Sequence, residues 1–159
     1  LIFIITGSQK FQFDRLLIKM DEISCELNLK TEIYAQTGYS NYAPKNFKFK
    51  NFLNKNEFEK QIEKSEILIT HGGTGSIMKG VKSKKKVIAI PRMKKYKEHV
   101  DNHQIEIIKE FDNLNLIYGL YEIENLKDAL IDIKRVNMGE YKSNTKDIIN
   151  SINDFLYKV

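Results

Sequence analysis

Three histidines, a glycine-rich loop and one dense polar cluster hold the residues of this chain that could do chemistry. His71-Gly72-Gly73-Thr74-Gly75-Ser76 follows an apolar run at residues 67–70 and precedes a short helical pattern. Glycines after a strand let the backbone turn sharply and approach an anion, and the helix that follows offers unpaired N–H groups and the positive end of its dipole. This order describes a site for a phosphate-bearing ligand, and a diphosphate fits it. Gly72, Gly73 and Gly75 free the backbone, Thr74 and Ser76 offer hydroxyl donors and a cap for the helix, and His71 can donate a hydrogen bond to a phosphoryl oxygen. Further along, a second apolar run at residues 87–90 leads to Pro91-Arg92 and then to Glu98-His99-Val100-Asp101-Asn102-His103-Gln104. Carboxylates, imidazoles and amides crowded at a predicted helix start are costly to hold together without a ligand for their hydrogen bonds.

Other chemistries compete for the same residues. Glycines and a hydroxyl at a helix start are also ordinary structural punctuation, and it is the second cluster that shifts the balance toward a site. His99 and His103 are four apart and could share a helix face as metal ligands. However, the helix is expected to begin near Val100, and the pattern is not His-Glu-x-x-His, so no metal ligand is assigned. A dinucleotide fingerprint is absent from the first strand end, where only Gly7 stands, and no Gly-Lys-Ser/Thr closes the later loop as a Walker sequence would.

The elements that must position these residues read as an alternation. Residues 2–6 form a buried strand, Gly7-Ser8-Gln9 a turn, and Phe13, Leu16, Leu17, Met20, Ile23 and Leu27 a helical stripe. Strands follow at 31–36 and, half-exposed, at 47–52, with a polar connection at 39–45 between them. A helix fits 55–64, with Phe58 and Ile62 on one face. Beyond the glycine loop come a helix at 100–111, a short strand at 116–118, and helices at 123–133 and 145–157. Strands alternating with helices predict an α/β fold, a parallel sheet covered on both faces, with ligands at the carboxyl ends of its strands. Both glycine loops, at Gly7 and Gly72, fall at such ends. No internal linker or repeat is evident, so residues 1–159 are read as a single domain.

Composition narrows the class. With 42% hydrophobic and 30% charged residues the chain is that of a globular protein, and no stretch is long and apolar enough to span a bilayer. A cytoplasmic protein is expected. The single cysteine, Cys25, sits in the first helical pattern and is expected to be a buried structural thiol. The net charge of +5 is uneven: nine basic residues and no acidic one lie between Lys79 and Lys97. Such a run is often a solvated face, but beside a phosphate loop it also reads as attraction for an anionic substrate or membrane surface. Nucleic acid is disfavoured, because no helix-turn-helix, zinc or aromatic-basic pattern accompanies the charge.

Taken together, the strand, H-G-G-T-G-S, the strand ending in P-R, and E-H-V-D-N-H-Q resemble the C-terminal domain of glycosyltransferase family 28. The likeness is nearest to the small catalytic subunit of two-chain bacterial exopolysaccharide transferases, which is similar in turn to the catalytic subunit of the dolichol-linked N-acetylglucosaminyltransferase. The Gly7-Ser8-Gln9 turn is similar to the first glycine loop in the donor domain of the lipid-II-forming N-acetylglucosaminyltransferase. The resemblance implies a Rossmann-like domain equivalent to the C-terminal, donor-binding half of a GT-B enzyme. UDP-sugar is then the donor substrate, with no tightly bound cofactor and no required metal. It implies that His71, Ser76, Gly7, Ser8 and Gln9, with the rest of the 71–76 loop and Arg92, face the donor diphosphate. His103 and Gln104, with Glu98, Asp101 and Asn102, are expected at the donor sugar, and His71, Glu98 and Asp101 are the catalytic candidates. Lys79 departs from the pattern, standing where many relatives carry a glutamate that binds the ribose. The implied partners are a membrane-associated acceptor-binding subunit, which recruits the chain to the inner face of the plasma membrane, and a lipid-linked saccharide. The implied reaction is transfer of galactose to an undecaprenyl-diphosphate-linked saccharide, in exopolysaccharide or capsule synthesis. The alternative is a non-catalytic nucleotide-binding or scaffold subunit.

Overall fold

A computed structural model describes residues 1–26 and 31–143. The strands are β1 Ile2–Ile5, β2 Ile33–Gln36, β3 Lys48–Lys50, β4 Ile67–His71, β5 Lys86–Ile90 and β6 Tyr118–Gly119, and the helices are α1 Asp14–Glu26, α2 Lys55–Lys64, α3 Thr74–Lys82, α4 Gln104–Asn113 and α5 Leu126–Asp132. All six strands pair in parallel in the order β3-β2-β1-β4-β5-β6. The order reverses between β1 and β4, whose register pairs Ile5 with Thr70. This is where a doubly wound sheet opens a crevice at its carboxyl edge.

Side-chain alternation along the strands builds two cores. Ile2 and Ile4 of β1 face one side with Ile67 and Ile69 of β4, under Leu16, Leu17 and Met20 of α1 and Leu126 and Leu130 of α5. Phe3 and Ile5 face the other with Leu68, under Ile62 of α2, Ile77 and Val81 of α3 and Ile108 of α4. Central strands buried on both faces read as unbroken apolar runs, which is why they were legible without alternation.

Several expectations are corrected. Cys25 is exposed; the buried stripe of α1 runs through Leu16, Leu17, Met20 and Ile23, and a residue two beyond Ile23 points away from it. The expected half-exposed strand at 47–52 is a three-residue edge strand with every residue exposed, where lysines flank Phe49. The helix expected from Val100 begins at Gln104 instead. Asp101 Oδ1 accepts the His103 N–H at 3.1 Å, so a side chain competes with the helix for this backbone, and Asn102 Oδ1 instead accepts the Lys94 N–H at 3.0 Å, tying this stretch to the preceding turn. The expected helix at 123–133 is a 3₁₀ turn, Ile123–Asn125, followed by α5. Leu27 and the expected helix at 145–157 lie outside the described residues.

Candidate functional site

The cleft forms where β1 and β4 end. Thr6 ties β1 to β2 by donating its N–H and hydroxyl to the Gln36 carbonyl, each at 3.1 Å, and the chain then turns through Gly7. Gly7 has φ +102°, a conformation closed to most residues, and a Cβ there would lie 2.9 Å from both Arg92 Nη2 and His71 Cε1. Across from it, β4 ends in His71 and α3 starts at Thr74 with Gly73 as its N-cap and no side-chain cap. Thr74 and Ser76 therefore do not cap the helix as expected: the capping position belongs to a glycine and Thr74 is already helical. The Ser76 N–H donates to the Gly73 carbonyl at 3.1 Å, whereas the Thr74 and Gly75 amides have no acceptor among the described residues, and the hydroxyls are not spent on them. Gly75 faces open space, with nothing within 4 Å of where its Cβ would be.

These loops enclose a cleft of about 460 Å³. Of the residues anticipated from sequence, Gly7, Ser8, Gln9, the whole 71–76 loop, His103 and Gln104 line it. Arg92, Glu98, Asp101 and Asn102 do not. Glu98 is 1% exposed, ion-paired to Arg15 Nε at 2.8 Å and accepting the Met93 N–H at 3.0 Å. Asn102 is exposed and turned to the Lys94 backbone. Gln104 lines the cleft but is also a strut, its Oε1 accepting the Gly72 N–H at 3.1 Å and the Arg92 N–H at 3.0 Å, so that it binds the ends of β4 and β5 together. Reasoning from sequence did not place Ile5, Gln36, Phe58, His99 and Ile107 in the lining. Phe58 reads as core from its spacing to Ile62, and Gln36 carries no signal except its place at a strand end. Lys79 is also in the wall, with Nζ 4.5 Å from the centre of the Phe58 ring. No carboxylate is among the lining residues.

Burial, reinforced by the Arg92 charge and offset in part by the Ile5 carbonyl, pulls His71 down to about 4. At neutral pH it is an uncharged imidazole that offers shape and hydrogen bonding, not charge. At the rim, His99 Nε2 meets Gln9 Oε1 at 3.1 Å, and its Nδ1 meets Asp101 Oδ1 at 3.0 Å. The same oxygen is hydrogen-bonded to His103 Nδ1. The His103 hydrogen bonds hold the Asp101 carboxyl below its ordinary value. The three groups have ligand atoms within 4.8 Å of one another and are the described residues that could hold a metal. As they stand, they form a hydrogen-bonded chain from the Gly7 loop to the start of α4.

A larger depression, about 640 Å³, opens between the end of α3 and residues 136–143. Lys82, Lys84, Lys85 and Lys86 line it, at the amino end of β5 and so at the opposite edge of the sheet from the glycine loops. The basic run is thus corrected as a feature of the phosphate site: of its lysines only Lys79 lines the cleft.

A parallel sheet flanked by helices, with a glycine-loop cleft at its switch point, is the Rossmann-like architecture found in GT-B glycosyltransferases, and solved structures of that class share this fold. The glycotransferase of kitacinnamycin superposes with a TM-score of 0.62 at 17% identity, covering 83% of this chain and 34% of that one. MurG of Acinetobacter baumannii gives 0.60 at 16%, covering 84% and 40%. SnogD from Streptomyces nogalater gives 0.52 at 15%, covering 84% and 38%. The chain belongs to the glycosyltransferase family 28 C-terminal domain, whose pattern it matches over residues 1–158. It is also 36% identical over 75 residues to the UDP-N-acetylglucosamine transferase subunit ALG13 of Candida albicans, a match covering 46% of this chain and 24% of that protein. The chain thus spans well under half the length of each of these relatives.

Proposed function

We propose that this chain is the donor-binding, catalytic half of an inverting glycosyltransferase whose acceptor-binding half is a separate, membrane-associated subunit. The observation that carries the reading is the cleft itself: the uncapped start of α3 and the Gly7 loop converge on a space of about 460 Å³, within the usual range for small-molecule sites. The donor is a UDP-sugar, transferred to a lipid-linked saccharide at the inner face of the plasma membrane, to which the partner recruits this chain. Galactose from UDP-galactose, added to an undecaprenyl-diphosphate-linked saccharide in exopolysaccharide or capsule synthesis, is the favoured transfer. The likeness to a UDP-N-acetylglucosamine transferase subunit makes N-acetylglucosamine the competing donor sugar.

In this mechanism the acceptor hydroxyl oxygen attacks the anomeric carbon from the face opposite UDP. The bond to the diphosphate oxygen breaks, UDP leaves with the electron pair, and the anomer inverts. Amides of Thr74 and Gly75 and the hydroxyls of Ser76 and Ser8 stabilise the charge developing on UDP, without a metal. The hydroxyl proton goes to a base. Glu98 is buried against Arg15 and does not reach the cleft. Asp101 acts through His103, which it orients by holding Nδ1, leaving Nε2 to accept the proton. Reconstitution with the membrane partner and labelled UDP-galactose or UDP-N-acetylglucosamine tests this. His103→Ala should lower turnover by about a hundredfold or more, as loss of a general base does, with donor affinity little changed. Unchanged turnover would move the base to the partner. UDP binding without turnover beside any partner would favour the scaffold reading.

A further inference from the structure

Beneath the cleft lies a guanidinium with incomplete compensation. Arg92 follows β5, and its side chain has no exposed surface. It turns back under the first glycine loop, where Nη2 donates to the Thr6 carbonyl and, at 3.5 Å, to that of Phe11. Its Cζ stands 5.8 Å from the centre of the Phe13 ring. Because a Cβ on Gly7 would meet both Arg92 Nη2 and His71 Cε1 at 2.9 Å, cation, imidazole and loop backbone are packed against one another. Nε and Nη1 of Arg92 have no hydrogen-bond partner among the described residues. Glu98, the acid that attracts Arg92, is already ion-paired with Arg15 and bonded to the Met93 N–H. Two guanidiniums share one carboxylate, and a net positive charge remains behind the loop.

A side chain serving only as a strut would be poorly chosen here, since unpaired N–H groups and a buried charge both oppose folding. The arrangement has a use if the charge is the point: in a low-dielectric interior it acts on neighbours far more strongly than a surface lysine does. We propose that Arg92 is a positioning residue that never touches the ligand: it anchors the 7–11 loop and supplies, from behind it, the fixed positive charge that makes the cleft select a diphosphate over an uncharged nucleoside. The inference rests on reading the cleft as a nucleotide-sugar site. Burial pushes the guanidinium down to about 10, which leaves it charged at neutral pH, and the same charge helps hold His71 neutral.

The test compares UDP and uridine binding by calorimetry in the parent, Arg92→Gln and Glu98→Gln, with folding followed by circular dichroism and the His71 ring titrated by NMR. Arg92→Gln should weaken UDP about tenfold or more, with uridine changed less than about threefold, and His71 should titrate at higher pH. Glu98→Gln removes the opposing charge, so UDP should gain on uridine and His71 should titrate lower still. This variant carries the test if Arg92→Gln does not fold. Equal changes for both ligands in a folded variant, with the His71 titration unmoved, would overturn the proposal. Failure of the parent to bind UDP would count against the nucleotide-sugar reading instead, while the ligand-free titration would still decide the charge claim.

Discussion

His71 sets the clearest expectation at the scale of single residues. Its folded value of about 4 lies below the ordinary 6.5, so the unfolded chain binds the proton first as pH falls. Stability from the neutral ring is whole above about pH 6.5 and drains away down to about pH 4, by about 3 kcal/mol at most. Denaturant midpoints across that window should therefore fall less steeply in His71→Asn than in the parent. Parallel slopes would mean that His71 is not desolvated as described. Gly75 offers a complementary test of the cleft. Because its Cβ would meet nothing, Gly75→Val should keep stability within about 1 kcal/mol, yet the side chain would project where the ligand sits and UDP affinity should drop by about tenfold or more. A variant that binds UDP normally would place the diphosphate elsewhere.

Helices and strands carry a different kind of prediction. The capping box at α2, in which Asn54 accepts the Glu57 N–H and Glu57 accepts that of Asn54, each at 2.9 Å, stands outside the cleft. Asn54→Ala should cost about 1 kcal/mol in thermal or denaturant unfolding and leave UDP affinity unchanged. Gln104→Ala should do both kinds of damage, because it orphans the Gly72 and Arg92 amides that hold the ends of β4 and β5 in register. Elements of this kind also show what was legible in the sequence. The central strands, α2 and the 71–76 loop could be read because apolar runs and glycine spacing are local signals. The role of Glu98 could not, since its partner Arg15 is 83 residues away, and neither could that of Arg92, whose carbonyl partners lie on another strand's loop. The start of α4 was misplaced because Asp101 accepts the His103 N–H, which a helix from Val100 would otherwise use, while Asn102 is turned to the Lys94 N–H outside it.

For the whole molecule, the two edges of the sheet carry different side chains. The carboxyl edge holds the cleft, and the basic run from Lys82 to Lys86 lies at the other edge, where Lys84 pairs with Glu140 at 3.0 Å and Lys86 donates to the Ile133 and Lys134 carbonyls. No described helix is long and apolar enough to cross a membrane. In the proposed enzyme, membrane attachment and the acceptor come from the partner, so this chain alone should bind donor but transfer sugar only in its company. The most direct measurement is calorimetric titration of the isolated chain with UDP, UDP-galactose, UDP-N-acetylglucosamine and NADH, beside Gly75→Val. Saturable binding of UDP and a UDP-sugar, without NADH, and lost in Gly75→Val, is the predicted result. Absence of UDP binding, or a preference for NADH, would contradict the claim that this cleft is a nucleotide-sugar site.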